Sequence, residues 1–261
     1  MTSTKGGERK TAVISGGAGG LGTALSERLQ DQGWRVVLLD RDIATLAVSD
    51  SQQPMQCDLT DPEQLASCCA QICADHARIA LVIYSAGVTT IGPVSDLTDA
   101  AHRQLFEINY FAAATMAQAF QGALRQTQGT HLVLTSVAGF APLRQRAAYA
   151  ASKHAMAGFF GSLRAEEEAH GVQVCIAAPS FVATNPAATT DPNGLTPPGS
   201  APDAFDAMTA DQAAKEILRG LNKGKDFVPV GRVAKIAHLL TRLSPTLYQW
   251  VMARMVRGKP D

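Results

Sequence analysis

The sequence shows no excess of charge of either sign and no apolar run of membrane-spanning length. Its 23 basic and 23 acidic residues cancel, and its pI is near 7.0. Because no global field would attract a polyanion, nucleic-acid binding is not expected. The start of the chain is polar and lacks the apolar core of a signal peptide, and no apolar run approaches the roughly 20 residues of a membrane span. We therefore expect a cytoplasmic protein with a flexible segment at residues 1–10.

Cysteine is scarce. The five cysteines, an odd number, stand at positions 57, 68, 69, 73 and 175, which is no disulfide framework for a chain of this length. Cys69 and Cys73 share a helix face, but no histidine or second thiol pair accompanies them at the spacing of metal ligands. We expect reduced thiols that pack in the core, and no metal site.

The sequence does contain an alternation of apolar runs with helical patterns. With 46% hydrophobic and 18% charged residues, the chain can bury one large core. The apolar runs lie at about 11–15, 35–40, 54–58, 79–84, 131–136 and 172–178, and the helical patterns near 20–32, 61–75, 99–125, 147–170 and 209–222. Such alternation predicts a parallel sheet with helices on both faces. We predict a single α/β domain over residues 11–261, a doubly wound, Rossmann-like sheet.

A glycine-rich turn follows the first apolar run. Residues 16–22 read GGAGGLG and lead directly into a helical pattern. Glycine permits the unusual backbone angles of such a turn and leaves the amides at the helix start open to a pyrophosphate. An ordinary flexible turn is the alternative. The strand before the turn and the helix after it favour a dinucleotide site.

An acidic residue stands where the adenosine ribose of a dinucleotide is expected. Asp40 closes the second apolar run, and Arg41 follows it. A carboxylate at this place can accept hydrogen bonds from the ribose hydroxyls and repels a 2′-phosphate. The guanidinium has the opposite tendency, because it can bind the phosphate of NADP. We expect NAD to be favoured, with NADP as the alternative.

Tyr149 and Lys153 are four residues apart in a helical pattern, which places a phenol and an ammonium on one helix face. A nearby cation lowers the pKa of a phenol, ordinarily near 10, toward the range in which a general acid/base works best. Ser136 ends an apolar run, where a strand end could present its hydroxyl to the same pocket. A solvated helix edge is the alternative. The three residues predict an acid/base site around one oxygen.

These motifs resemble those of the classical short-chain dehydrogenase/reductase family, over about residues 11–184. The resemblance implies a catalytic tetrad of Asn109, Ser136, Tyr149 and Lys153. It also implies the cofactor contacts, which are Ser15, Gly16, Gly20, Leu21, Gly22, Asp40, Arg41, Asp58, Leu59, Ala86, Gly87, Tyr149, Lys153, Pro179, Val182 and Thr184.

The resemblance assigns roles to several of these residues. Asp58 and Leu59 would hold the adenine, and Thr184 would bind the nicotinamide carboxamide. Lys153 would grip the nicotinamide ribose. Asn109 would bond to backbone and hold a water that relays protons toward Lys153, although the residue could also be an ordinary polar residue facing solvent.

The chain departs from the family pattern at three places, of which Ser15 in place of threonine is the mildest. Tyr84 and Ser85 stand where the family has two asparagines before Ala-Gly, and Ser180 follows Pro179 where the family has glycine.

Two later segments carry further expectations. The stretch of about 180–210 is rich in Pro, Ala, Thr and Gly and is expected to be a mobile substrate lid, with a plain disordered excursion as the alternative. Segments at about 232–258 are amphipathic, and six basic residues against one acidic residue from position 232 to 261 give a local excess of positive charge. Capping of the core or a subunit contact is the favoured interpretation, and contact with a membrane surface or a lipidic substrate is the alternative.

We therefore expect an NAD(P)-dependent oxidoreductase that transfers a hydride between nicotinamide and a secondary alcohol or ketone of hydrophobic character. A catalytically vestigial dinucleotide-binding sensor or scaffold is the alternative. An epimerase or dehydratase of the related extended fold is less favoured, because such enzymes have a longer carboxy-terminal substrate domain. By resemblance, we expect a homodimer or homotetramer.

Overall fold

The computed structural model of the protein describes residues 9–184, 190–199 and 207–257. Its strands are β1 (Thr11–Ser15), β2 (Arg35–Asp40), β3 (Gln52–Gln56), β4 (Ile79–Tyr84), β5 (Thr130–Leu134), β6 (Gln173–Pro179), β7 (Val182–Ala183), β8 (Met208–Thr209) and β9 (Phe227–Val230). Its helices are α1 (Gly20–Asp31), α2 (Pro62–Asp75), α3 (Asp99–Phe106), α4 (Ala112–Thr127), α5 (Ala147–Glu167), α6 (Ala210–Leu221), α7 (Arg232–Leu243) and α8 (Pro245–Arg257).

One parallel sheet organises the described residues, with seven strands in the order β3-β2-β1-β4-β5-β6-β9. Parallel neighbours need crossover connections over a face of the sheet. The strand order reverses between β1 and β4, and this reversal opens a crevice at the carboxyl ends of these two strands. The predicted doubly wound sheet is confirmed.

Both faces of the sheet are covered by apolar layers. Val13 and Val82 face the layer that contains residues of α2, α4 and α5, whereas Ile14 and Ile83 face the layer of α1 and α6. This alternation follows from the two-residue period of a strand. Because both faces are buried, the inner strands are continuous apolar runs, which made them visible in the sequence.

Several boundaries differ from the predicted ones. The strand predicted at about 54–58 spans Gln52–Gln56. Its residues are mostly polar, so its bounds are set by pairing with β2 and not by an apolar pattern. The predicted helix at about 99–125 is interrupted by a π-helical turn at Glu107–Phe111, a feature that inserts one residue without a compositional signal. Strand β5 ends at Leu134, so Ser136 lies beyond the strand and not at its end.

The two outer strands of the sheet each contain a proline. Pro54 of β3 is opposite Leu38, and Pro229 of β9 is opposite Ala178. Proline cannot donate to a strand ladder and is confined to edges or bulges. The prolines therefore agree with the edge positions of both strands.

The carboxy-terminal part folds as two helices, α7 and α8. Ala234, Ala237 and Tyr248 are buried against Val137 and Ala141. The apolar residues of this contact recur at helical spacing, so they form one buried stripe. In the described part of the chain, no helix is both long and apolar enough to cross a membrane.

A buried hydrogen bond joins Tyr84 and His131 on neighbouring strands. The Tyr84 hydroxyl is 2.6 Å from Nδ1 of His131, and both side chains are fully or almost fully buried. Nε2 of His131 has no hydrogen-bond partner among the described residues. Burial lowers the pKa of His131 from 6.5 to about 4, with the Glu167 carboxylate acting in the opposite direction. The imidazole is therefore neutral at physiological pH.

We expect the free energy of unfolding to fall as pH is lowered from about 6.5 to about 4, because the unfolded chain then binds a proton that folded His131 does not. The loss is roughly 3 kcal/mol at most. His131→Gln keeps a hydrogen-bonding side chain next to Tyr84 but does not titrate, so its acid dependence should be shallower. Urea titrations of both proteins at a series of pH values make the comparison. Equal slopes would refute the assignment.

Candidate active site

The predicted catalytic residues meet at the carboxyl end of the sheet, near the start of α5. The Lys153 Nζ lies 5.9 Å from the centre of the Tyr149 ring, and the Tyr149 hydroxyl hydrogen-bonds to Ser136. Tyr149 and Lys153 are 6% and 3% exposed. The one-turn spacing thus produces a buried pair and not a solvated helix edge.

Ser136 is positioned by a turn. It precedes the 3₁₀ turn Val137–Gly139 with an extended backbone, and its Oγ accepts a hydrogen bond from the Ala138 N–H at 3.2 Å. A hydroxyl has two lone pairs and one donor. Ser136 therefore keeps capacity for Tyr149 and for a substrate oxygen.

The pKa of Tyr149 is set by three causes. Burial raises it above its ordinary value of 10.0, while the hydrogen bond with Ser136 and the positive charge of Arg146 act in the opposite direction. The net direction is opposite to the one predicted from the Tyr149–Lys153 spacing. The cation that favours the phenolate is Arg146, three residues before the tyrosine. The spacing argument considered only the residue one turn later.

Lys153 is anchored to backbone. Its Nζ donates to the Leu134 carbonyl oxygen at 3.0 Å and lies 3.5 Å from Sδ of Met156. Burial lowers the pKa of Lys153 to about 8, because a low dielectric disfavours the charged form. The ammonium therefore exchanges its proton near neutral pH.

Asn109 lies in the π-helical turn and is completely buried. Its Oδ1 accepts from the Val88 N–H at 2.8 Å. Its Nδ2 donates to the Val88 carbonyl at 2.9 Å and to the Ser152 hydroxyl at 2.9 Å. The solvent-facing interpretation is therefore wrong, and the predicted bonding to backbone is present. Asn109 ties the loop after β4 to α5, one residue before Lys153.

The glycine-rich turn between β1 and α1 packs tightly against backbone. A Cβ on Gly22 would lie 2.2 Å from the Gly16 carbonyl oxygen, and one on Gly20 would lie 2.4 Å from the Thr184 carbonyl oxygen. Gly16 has a φ of +70°, and its Cβ would be 2.8 Å from the backbone of Ala86. Side chains are therefore excluded where the turn meets the β4 and β6 loops.

The amino terminus of α1 lacks the side-chain cap that α2, α3 and α6 have. Its cap residue is Gly19, which makes no side-chain hydrogen bond, and its first turn contains no acid. By contrast, Asp61 caps α2 and Thr98 caps α3 through their side chains. Uncapped N–H groups and the helix dipole make an anion site. Leu21 is only partly buried and packs on the apolar layer below.

Asp40 lies beside this turn. Its Oδ2 accepts from the Ala18 N–H at 2.9 Å, and its Oδ1 accepts from the Asp42 N–H at 3.3 Å. The carboxylate thus helps to fix the glycine-rich turn, a role that the sequence did not reveal. Arg41 is exposed at the same edge.

Asp58 and Leu59 follow β3 at this edge. Thr60 donates to the Asp58 carboxylate from its N–H and its hydroxyl, at 2.9 and 2.7 Å. These bonds lower the pKa of Asp58, and the charge of Arg41 contributes to the same shift. Leu59 packs partly buried on the core. The neighbourhood of Arg41 is thus acidic.

Ser15 connects the ends of β1 and β4. Its Oγ is 3.2 Å from the Ser85 N–H donor and 3.4 Å from that of Ala86. A Cβ on Gly87 would lie 3.3 Å from Oδ1 of Asn109 and 3.4 Å from Nζ of Lys153. The loop after β4 therefore runs between the glycine-rich turn and the catalytic residues.

The segment after β6 accommodates its serine. Ser180 N–H donates to the Val230 carbonyl at 3.0 Å, and Ser180 is not among the residues with positive φ. Gly231, which follows the neighbouring strand β9, leaves space for the Ser180 side chain. A Cβ on Gly231 would be 2.5 Å from Oγ of Ser180. Pro179 ends β6 and Val182 begins β7. Both therefore lie a few residues before Thr184, whose carbonyl meets Gly20 of the glycine-rich turn.

Part of the predicted substrate loop covers Tyr149. Leu195 is 2% exposed and belongs to the apolar cluster of Tyr149. Thr89 and Thr196 exchange backbone hydrogen bonds of 2.8 and 2.9 Å, and Thr184 donates to the Pro198 carbonyl at 2.7 Å. Residues 185–189 and 200–206 of this loop lie outside the described residues.

Arg146 links this cover to the catalytic helix. Its Nη1 donates to Oγ1 of Thr89 at 3.1 Å, and it is the residue before α5. Sequence reasoning missed Arg146, Thr89 and Leu195. Only the position of Arg146, one turn before Tyr149, offered a signal.

The cysteines take no part in this site. Cys57, Cys69 and Cys175 are buried, and burial raises the pKa of each thiol to about 12. All five cysteines are free, and Cys69 packs in the core as predicted. Among the described residues, no group of three or more His, Cys, Asp or Glu side chains could hold a metal ion.

The sheet has a glycine-rich turn where its strand order reverses, and Ser136, Tyr149 and Lys153 lie at the same end of the sheet. This combination is typical of nucleotide-dependent oxidoreductases. A family model described as short chain dehydrogenase matches residues 10–193. The dehydrogenase/reductase SDR family member 7B of Bos taurus is 31% identical, covering 94% of this chain and 81% of that protein. Its Danio rerio counterpart is also 31% identical, covering 95% and 86%.

Solved structures agree with this match. A short chain dehydrogenase from Burkholderia cenocepacia J2315 in complex with NADP has a TM-score of 0.82 at 25% identity, covering 94% of this chain and 98% of that one. A short chain dehydrogenase/reductase from Burkholderia phymatum in complex with NAD shares the fold, with a TM-score of 0.73 at 19% identity over 85% and 88% of the chains. The protein belongs to the short-chain dehydrogenase/reductase family.

Proposed function

We propose that the protein oxidises a secondary alcohol, or reduces the corresponding ketone, with a nicotinamide dinucleotide as hydride carrier and Tyr149 as the general acid/base. The observation that carries this proposal is the meeting of the half-buried Ser136 side chain with the buried Tyr149, one helical turn from buried Lys153. These groups converge on a point where a substrate oxygen could be bound.

The residues present fit a dinucleotide. Gly16, Gly20 and Gly22 leave no side chain over the amino terminus of α1, whose first turn is uncapped. This combination suits a pyrophosphate. Asp40 would bind the adenosine ribose, and Asp58 and Leu59 would flank the adenine.

The nicotinamide end would lie near the loop after β4. Ala86 and Gly87 border the catalytic residues there, and Lys153 would contact the ribose. Pro179, Val182 and Thr184 would line the opposite side. The bound cofactor supplies or accepts the hydride.

The protein's own part in the reaction is to move one proton and to stabilise charge on one oxygen. Tyr149 would take the alcohol proton during oxidation and return it during reduction. Ser136 would donate a hydrogen bond to the same oxygen as negative charge develops. Lys153, with a pKa near 8, would carry the proton onward from Tyr149, and Asn109 would hold a water that relays it.

Two groups would keep the phenol reactive despite its burial. The hydrogen bond with Ser136 and the charge of Arg146 both act against the rise in the pKa of Tyr149. Arg146 is held beside the site through Thr89. It would therefore tune the pH range in which turnover occurs.

The surroundings of Tyr149 favour a hydrophobic substrate. Leu195 packs on Tyr149, and Val88, Leu97 and Leu143 lie partly buried against the same cluster. Such lining favours apolar carbon chains around the reacting oxygen. Closure of residues near 190–199 over the site would also exclude water.

A catalytically silent dinucleotide sensor is the second candidate. Asp40 supports it in one respect, because the carboxylate holds the glycine-rich turn in shape whether or not chemistry follows. Binding of NADH without turnover on aliphatic, aromatic, steroid and acyl-chain carbonyls would favour this candidate.

Tyr149→Phe should lower turnover by at least about a hundredfold, because the proton donor is lost. The affinity for the dinucleotide, followed by quenching of tryptophan fluorescence, should hardly change. Tyr110→Phe, a change of the same kind on the π-helical turn, is the control and should keep full activity. Undiminished turnover of the Tyr149 variant would remove the proposed mechanism.

Arg146→Gln should move the pH profile of kcat to higher pH. Oxidation needs the phenolate, and the loss of the Arg146 charge raises the pKa of Tyr149. The rising limb for oxidation and the falling limb for reduction should shift in the same direction. Arg146→Lys keeps the charge and should leave both limbs in place. Superimposable profiles for the Gln variant and the unchanged protein would exclude this role.

Asp40→Asn should shift cofactor preference from NAD toward NADP by about tenfold in the ratio of kcat/KM values. The amide removes the charge that repels a 2′-phosphate but keeps an acceptor for the Ala18 N–H. Arg41→Ala should shift the ratio in the opposite direction. Initial rates with both cofactors provide the test. An unchanged ratio in both variants would place the ribose elsewhere.

A further inference from the structure

An apolar surface lies exposed on the two carboxy-terminal helices. We define the α7–α8 face by five side chains, Ile236, Leu239, Leu243, Leu247 and Trp250, which are 60%, 59%, 73%, 43% and 51% exposed. Large apolar side chains grouped in this way mark a contact surface, whereas single ones are ordinary. The opposite side of α7 is already buried, through Ala234 and Ala237. The face is therefore not needed for the core.

Positive charge surrounds this face. The sequence from position 232 to 257 contains Arg232, Lys235, Arg242, Arg254 and Arg257 and no acidic residue. Lys235 forms an ion pair with Glu216, while Arg232, Arg242 and Arg254 are exposed. Arg254 has its guanidinium 3.7 Å from the centre of the exposed Trp250 ring. An amphipathic helix with an apolar side, an aromatic residue and a basic rim is typical of proteins that lie in a membrane interface.

The charge distinguishes between two occupants. In a two-fold contact between copies of this chain, the same patch would meet itself, and the basic rims would face each other. An anionic lipid surface has the complementary charge and also accepts the apolar side chains. The sequence alone favoured a core cap or a subunit contact. The high exposure of the five side chains argues against a core cap, and the positive charge argues against a contact between two like faces.

The other side of the same two helices packs on the catalytic turn. Ala234 and Ala237 of α7 pack on Val137, the residue after Ser136, and Tyr248 of α8 packs on the same cluster. The hydroxyl of Tyr248 donates to the Pro142 carbonyl at 3.4 Å. The α7–α8 pair therefore lies between the face and the turn that follows Ser136.

We propose that the α7–α8 face is a docking surface for an anionic lipid bilayer, on which the protein rests without crossing it. The apolar residues enter the acyl boundary, and Arg232, Arg242 and Arg254 contact lipid phosphates. The proposal does not depend on the catalytic function, since a silent dinucleotide sensor would bind in the same way.

Cosedimentation of the full chain with sucrose-loaded vesicles tests the proposal. The protein should bind vesicles of phosphatidylcholine with phosphatidylserine, and binding should weaken as salt is added. It should bind phosphatidylcholine alone much less. Leu239→Glu or Leu243→Glu should lower the partition coefficient by at least about tenfold. Val48→Glu is the matched control, because Val48 is 83% exposed in the connection to β3, at the opposite edge of the sheet.

A charge variant provides an independent arm. Arg242→Gln should reduce binding to the anionic vesicles, whereas Lys223→Gln, in the turn between α6 and β9, should not. Melting curves show whether each variant is folded. The proposal is overturned if the unaltered protein ignores anionic vesicles, or if the glutamate variants bind as well as the Val48 control. It is also overturned if those variants only dissociate an oligomer in light scattering, which would make the face a contact between copies.

Discussion

The three hydrogen bonds of the Asn109 amide hold the catalytic region together. They use both N–H donors and one oxygen lone pair of a buried amide, and they join the loop after β4 to α5 through Val88 and Ser152. A buried amide left without partners would cost about 1–3 kcal/mol for each unsatisfied group, so the three elements are fixed relative to one another. Lys153 follows Ser152, and Gly87 precedes Val88. The placement of the lysine and of the loop beside it both depend on this amide.

The features that the sequence predicted well are those with a local physical cause. Buried parallel strands are continuous apolar runs, and the glycine-rich turn needs glycine locally because Gly16 has a positive φ and Gly22 meets the Gly16 carbonyl. The pairing of Tyr149 with Lys153 follows from one helical turn. These signals do not require knowledge of distant residues.

The features that it missed depend on tertiary contacts. The π-helical turn that buries Asn109 leaves no compositional trace, and the contact of Arg146 with Thr89 joins residues far apart in the chain. The direction of the pKa shift of Tyr149 was wrong because burial, which a sequence does not display, outweighs the nearby charges. Ser180 needed no glycine, since Gly231 on another strand provides the space.

The prolines of the outer strands limit how the chain can associate. The Cys57 N–H donates to the Asp40 carbonyl, and the Ser180 N–H donates to the Val230 carbonyl. These bonds show which residues of β3 and β9 direct their backbone N–H and C=O groups toward the neighbouring strand of the sheet. Because this direction alternates along a strand, the backbone nitrogens of Pro54 and Pro229 face away from the sheet, where an added strand would need an N–H donor. A continuous sheet across two molecules is thereby interrupted at either border. Strand pairing between molecules at these borders is therefore disfavoured, and so is fibrillar stacking of the native fold.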